Sequence, residues 1–248
     1  MGFGLIIIGD ELLSGKRQDR HFAQLIRLLA ERGLSLGWCR VIGDKAPLIV
    51  TTLRETMATD DVVFCCGGIG ATPDDLTRAC AAEAAGVTLQ RHPEAVMEIE
   101  ARYGVDADPG RMLLADLPAG STIIPNPVNR FPGFTIGRHH FLPGFPEMAW
   151  PMMSALLDGM YRTLQRTQPP VEYAMKVHAR EGQLLALMQD CVRRFPDCSP
   201  SSLPEFATER PRLELAVRGE AKKAAEAFTF LQRKLADLGF EWRALPAR

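Results

Sequence analysis

No stretch of this chain approaches the roughly 20 consecutive apolar residues that a membrane-crossing helix needs, so no membrane partner is expected. Net charge is also nearly missing, with 29 Lys and Arg set against 30 Asp and Glu, which leaves no electrostatic footprint for nucleic acid. The six cysteines, at positions 39, 65, 66, 80, 191 and 198, include no C-x-x-C pair or other zinc-type spacing. At 248 residues and 46% hydrophobic, the chain buries enough core to fold without disulfides. There is no internal repeat and no low-complexity tract. Gly2 to Ile8 runs straight into Asp10-Glu11 without a basic leader or cleavage site, so a cytoplasmic location is expected.

What is present alternates between apolar strands and amphipathic helices. Leu5–Ile8 and Val62–Cys66 are continuous apolar runs of the kind buried on both faces of a parallel sheet, and Trp38–Ile42 reads as a further strand. Helices are expected from Phe22, with Asp19 as cap, Gly33 as stop and Phe22, Leu25, Ile26 and Leu29 as the apolar face; then over 47–57, 75–85, 93–103 and 147–164. Ser121–Pro125 reads as a strand, and 134–136 with 140–142 as a hairpin. Gln165–Pro170 reads as a linker, followed by a smaller β-α-β-α unit with strands at 171–178 and 212–217 and helices at 183–193 and 221–238. The expected fold class is α/β, a three-layer, mainly parallel sheet between helices over residues 1–168, with a small α+β subdomain over 169–248.

The most informative segment is Cys66-Gly-Gly-Ile-Gly-Ala-Thr-Pro-Asp-Asp75. Gly67, Gly68 and Gly70 let a strand stop and its backbone approach a ligand, and a helix start follows. That combination makes a phosphate site of backbone amides at the carboxyl edge of a sheet. Read alone, it also suits an ordinary connection with Asp74 or Asp75 as N-cap. Asp10, Asp44 and Asp75 each lie just past the carboxyl end of an expected parallel strand, so they could converge on a divalent cation such as Mg²⁺ bridging to a ligand phosphate. Each also suits a cap or turn. Ser14 and Lys16 offer a hydroxyl and a cation to a phosphorylated ligand, and Thr72 and Thr77 offer hydroxyls. Cys65 and Cys66 read as small hydrophobes, His139 and His140 as surface residues of the hairpin, and Arg130 as a loop arginine.

Four stretches, Ile8–Gly15, Val41–Asp44, Cys66–Asp75 with Thr77, and Leu142-Pro-Gly-Phe-Pro-Glu-Met148, resemble the motifs of the molybdopterin-binding (molybdenum cofactor biosynthesis) superfamily, and within it the amino-terminal part of the competence- and damage-inducible protein A family. The resemblance implies a mainly parallel sheet and a site for a phosphorylated pterin or nucleotide at the glycine loop, with Pro143 and Gly144 beside it. It places catalytic acids at Asp75 and Asp44, and it implies a homo-oligomer. Relatives of this kind are credited with metal-dependent cleavage of ADP-ribose or FAD. Two departures concern ligand preference: Gly70-Ala71-Thr72 stands for the usual Gly-Pro-Thr, and Gln18-Asp19-Arg20-His21 replaces a segment with asparagine. Nicotinamide mononucleotide deamidation is not expected, because the 248 residues hold no room for the deamidase domain of longer members. Two functions follow as expectations: a metal-dependent nucleotide pyrophosphatase, or a non-catalytic molybdopterin-binding protein of molybdenum cofactor metabolism.

Overall fold

The computed structural model describes residues 1–105, 107–165, 170–205 and 210–246. The chain divides into two units, Met1–Gln165 and Arg166–Arg248. The boundary expected between 168 and 169, and most of the expected linker, lie outside the described residues.

In the first unit the order is β1 (Phe3–Ile8), α1 (Asp10–Leu13), α2 (His21–Ala30), β2 (Leu36–Ile42), α3 (Ala46–Met57), β3 (Val62–Cys66), α4 (Thr77–Ala85), β4 (Leu89–Arg91), α5 (Pro93–Tyr103), α6 (Pro109–Met112), β5 (Asp116–Pro118), β6 (Thr122–Ile124), β7 (Gly133–Ile136), β8 (His139–Leu142) and α7 (Pro146–Asp158). Six strands form one sheet in the order β2-β1-β3-β8-β7-β6. The first four are parallel, and β7 and β6 add antiparallel at the end. Because side chains alternate across a strand, β1 feeds two cores. Phe3, Leu5 and Ile7 pack with α2 and α7, while Ile6 and Ile8 pack with α3, α4 and α5. That is the expected three-layer arrangement. Both faces of β1 and β3 are fully buried, which is why these strands read as unbroken apolar runs.

Three expectations need correction. The apolar face of α2 is His21, Leu25, Leu28 and Leu29, and Phe22 and Ile26 stand 43% and 41% exposed; the helix is rolled from its simplest hydrophobic stripe. Helix α7 stops at Asp158, where Gly159 breaks the helical backbone, and only a 3-10 turn, Arg162–Leu164, follows. His139 and His140 are not surface residues. They lie on β8, inside the sheet between β3 and β7, and are 2% and 0% exposed.

These histidines are tolerated there because each finds a hydroxyl. His139 Nε2 sits 2.9 Å from Thr56 Oγ1; His140 Nδ1 is 2.8 Å from Thr135 Oγ1 and its Nε2 is 2.6 Å from the Tyr161 hydroxyl. Burial holds the His139 imidazole down at about 4, and burial together with the neighbouring His139 holds His140 at about 3, against an ordinary 6.5. Both are therefore neutral in the fold, whereas the unfolded chain takes up protons below pH 6.5. Stability is thus complete above that pH and falls as pH drops towards 4 and then 3, by about 1.4 kcal/mol per pH unit for each histidine. Urea midpoints at pH 7, 6 and 5 should drop progressively, and a midpoint unchanged from 6.5 to 5 would contradict this account.

The second unit contains β9 (Val171–Val177), α8 (Glu181–Arg194), β10 (Ser199–Glu205), β11 (Arg212–Gly219), α9 (Ala221–Asp237) and β12 (Trp242–Ala244). All its pairings are antiparallel, in the order β10-β11-β9-β12. The expected β-α-β-α pattern omits β10 and β12. Strand β10 carries Pro200 and Pro204, and proline in a sheet is confined to edges, where β10 indeed lies. Leu184, Leu187, Phe228 and Leu231 of the two helices cover Met175, Val177, Leu213 and Leu215 of the sheet.

Candidate functional site

The carboxyl ends of the four parallel strands deliver their loops to one cavity of about 540 Å³. Gly9 and Glu11 come from the β1 exit, Asp44 from β2, Gly67 through Thr72 with Asp74 and Asp75 from β3, and Pro143, Gly144 and Phe145 from β8. This is where open α/β sheets bind ligands, because opposed crossovers leave a crevice at that edge. A second recess of about 490 Å³ shares Ile8, Glu11, Arg17, Gly144 and Phe145 with the first and extends to Gln18–His21.

The glycine loop is shaped by close approach. Gly67 has φ 114, and a Cβ there would fall 2.1 Å from the Ile8 carbonyl oxygen. Its N–H donates to Leu142 O at 3.1 Å, so the loop is clamped between β1 and β8. Gly68, at φ 64, faces Thr77 Oγ1, which a Cβ would meet at 2.4 Å; its carbonyl accepts from the Thr77 N–H at 3.0 Å. The Thr77 side chain is buried with an unpartnered hydroxyl. Arg78, half-buried, donates from Nη2 to Gly70 O at 2.7 Å and from Nη1 to Asp116 O at 2.9 Å and to Leu113 O. Burial lowers its pKa, against the pull of Asp116 and Asp75. Sequence reasoning missed this strut; the only signal was an arginine in the first turn after the loop.

The acids divide into two sets. Asp10 and Asp44 bond reciprocally: Asp10 N–H donates to Asp44 Oδ2 at 2.8 Å, and Asp44 N–H to Asp10 Oδ1 at 3.1 Å. This ties the β1 and β2 exit loops together, and Asp44 lines the cavity whereas Asp10 does not. Burial raises the Asp44 carboxyl above the usual range; the Asp10 amide opposes that, while the charges of Asp10, Glu11 and Asp74 reinforce it. Asp75 folds back on its own turn, with Oδ2 accepting from the Thr72 N–H at 2.9 Å and from the Thr72 hydroxyl. Among the described residues, no group of three or more His, Cys, Asp or Glu side chains is arranged to hold a metal ion. Asp10, Asp44 and Asp75 therefore do not form such a set on their own.

Ser14 and Lys16 also lie outside the lining of either recess. The Ser14 hydroxyl donates to Glu11 O at 3.3 Å. The cation that does line both recesses is Arg17, one residue further along and anchored by its N–H to Glu11 O at 3.0 Å. His21 belongs to the segment Gln18–His21 that departs from the family pattern, but nothing in that segment marks a role of its own for it. It is 4% exposed, its Nε2 lies 3.1 Å from Gly144 O, which holds the β8 exit loop, and burial lowers its pKa against the opposing Gly144 bond, Asp19 and Glu147. The N-cap position of α2 is Arg20, not the expected Asp19, although Asp19, one residue earlier, accepts from the His21 and Phe22 amides. Cys65 and Cys66 are fully buried, and burial pushes both thiols up, which leaves them inert.

Residues 4–163 match the family described as a probable molybdopterin binding domain. The chain belongs to that family. This molybdopterin-binding-family chain is 30% identical over 240 residues to a protein of Pyrobaculum arsenaticum, covering 91% of this chain and 89% of that one. It is 30% identical over 235 residues to a CinA-like protein of Myxococcus xanthus, covering 90% of this chain and 55% of the relative. The chain thus spans little more than half of that CinA-like protein. Among solved structures it resembles "the protein CinA with unknown function" from Thermoplasma acidophilum, with a TM-score of 0.58 and 27% identity over 64% of this chain and 98% of that one. No described helix is long and apolar enough to cross a membrane.

Proposed function

We propose that this molybdopterin-binding-family chain takes a phosphorylated pterin or nucleotide into the cavity and, with a divalent cation, hydrolyses a nucleotide pyrophosphate such as ADP-ribose in the cytoplasm. The observation that supports it most is the meeting of the glycine-loop backbone, Arg17, Asp44 and Asp75 at one cavity. The adjoining second recess suits a ligand with groups on either side of a diphosphate better than a ligand with one.

In this reading the amides of Gly68 to Ala71 cradle the phosphates, those of Gly67 and Thr72 being bonded already to Leu142 and Asp75; Arg78 keeps the loop in shape through Gly70, and Arg17 neutralises charge where the recesses join. The residues present fit a cation that arrives with the ligand: Mg²⁺ commonly takes one or two carboxylates and completes its shell from phosphate and water. Asp44 and Asp75 would hold it. Bound there, it would polarise the phosphoryl group and make water a better nucleophile. Asp44, crowded by Glu11 and Asp74, gains from such a cation, so cation-dependent affinity should weaken on acidification earlier than an ordinary aspartate would dictate.

The alternative is a module that binds molybdopterin without catalysis, a reading supported by the family's description as a probable molybdopterin binding domain. Calorimetric titration with ADP-ribose and, separately, with molybdopterin, each with Mg²⁺ and read beside product release, separates them. AMP and ribose 5-phosphate appearing at a steady rate supports hydrolysis; tight pterin binding with no product establishes the binding module instead.

A further inference from the structure

The loop between β6 and β7 is built with more care than a connection requires. Asn126 is 3% exposed; its side-chain nitrogen donates to Asn129 Oδ1 at 2.8 Å and to Phe131 O at 3.0 Å, and its Oδ1 accepts the Val128 N–H at 3.0 Å. Asn129 Oδ1 in turn accepts the Phe131 N–H at 3.1 Å. Between these anchors Arg130 has φ 60, the one non-glycine positive φ among the described residues. An arginine holds that left-handed conformation only where its surroundings impose it, and such positions concentrate at ligand sites.

What the constrained loop delivers is the half-buried Phe131, which lines the cavity beside Leu114 and Met148. Its ring stacks on Tyr103 of α5, with centroids 5.2 Å apart and planes 12° from parallel. The Arg111 guanidinium of α6 lies over Tyr103 at 4.4 Å. Phe131 and the Arg111 guanidinium both pack on Tyr103, and of the three it is Phe131 that lines the cavity. A single cavity therefore combines a phosphate-type backbone cradle with an aromatic wall that is stiffened from behind.

We propose that Phe131 is the stacking wall for the planar ring of the ligand, so that the site takes a phosphate ester bearing a heteroaromatic ring and discriminates against ring-free phosphates. This rests on the phosphate-binding reading above and makes Phe131 the specificity-determining residue. Aromatic stacking on a base tolerates any ring identity but requires a ring, so pterin and purine would both qualify.

The test is calorimetric titration of wild type and Phe131→Leu with AMP and with ribose 5-phosphate, which differ at C1′, adenine in one and a hydroxyl in the other, at one Mg²⁺ concentration. Wild type should prefer AMP. Phe131→Leu should weaken AMP binding about 10- to 100-fold and leave ribose 5-phosphate unchanged, and Phe131→Trp should restore AMP binding. Equal weakening of both ligands, or AMP affinity within about twofold of wild type, would overturn the stacking role. Were Phe131→Leu to misfold, Phe131→Trp still decides, since a wall that stacks keeps its preference for AMP over ribose 5-phosphate. If wild type binds both ligands equally, stacking fails while the phosphate site stands; if it binds neither, both readings fall together.

Discussion

Asp75→Asn should reduce ADP-ribose hydrolysis by about 10²- to 10³-fold or more, the scale on which a charge-stabilising group at a reacting phosphate acts, while the protein stays folded. The structure explains why the two effects separate. One carboxylate oxygen, Oδ2, accepts both the amide and the hydroxyl of Thr72, and the amide oxygen of asparagine can accept the same pair. The turn into α4 is therefore kept, and what disappears is the negative charge facing the cavity. Asp10→Asn is the matched comparison. Asp10 bonds the Asp44 N–H but does not line the cavity, so its change should cost only a few-fold in rate. Thermal melting and product release on the two variants give the answer, and equal losses in both would remove Asp75 from its assigned role.

Gly67→Ala is the second change expected to have a large effect, this time on stability. The φ of 114 is foreign to alanine, at about 1–3 kcal/mol, and the new methyl would lie 2.1 Å from a backbone oxygen of β1, which cannot swing aside as a side chain could. A total loss above about 4 kcal/mol is expected, lowering the thermal midpoint by roughly 10 °C or more for a chain of this size. Gly86→Ala provides the scale. Gly86 also has a positive φ, 70, but nothing lies within 4 Å of its would-be Cβ, so only the cost of the left-handed conformation, about 1–2 kcal/mol, applies. If Gly67→Ala proves no worse than Gly86→Ala, the clamp between β1 and β8 does not exist in solution.

Other features were legible only in part. Strands β1 and β3 announced themselves because a strand buried on both faces is apolar throughout. β8 was recognised as an arm of a hairpin, yet its histidines were misplaced. His-His-Phe-Leu does not look buried until Thr135 of the adjacent hairpin arm, and Thr56 and Tyr161 further away along the chain, supply hydrogen bonds. Strand β10, Ser-Pro-Ser-Ser-Leu-Pro-Glu, has almost no β-propensity, and it is a strand because the free edge of β11 pairs with it. Phe22 and Ile26 fit the helical stripe of α2, but the sheet selects Leu28 and His21 in their place.

For the site, the sequence by itself determined that a strand ends in a glycine turn followed by acids, because loss of side chains and the start of a helix are local events written in consecutive residues. It also determined that Asp44 and Asp75 lie at strand exits. Only the tertiary structure decided which neighbours reach the cavity. Arg17 and Phe131 line it and Lys16 does not; Asp10 is spent on the Asp44 amide; Arg78 and His21 act one step back, holding the carbonyls of Gly70 and Gly144. The physical reason is that direction and distance between loops are fixed by the packing of α2, α4, α5 and α7 on the sheet, and that packing depends on contacts between residues far apart along the chain.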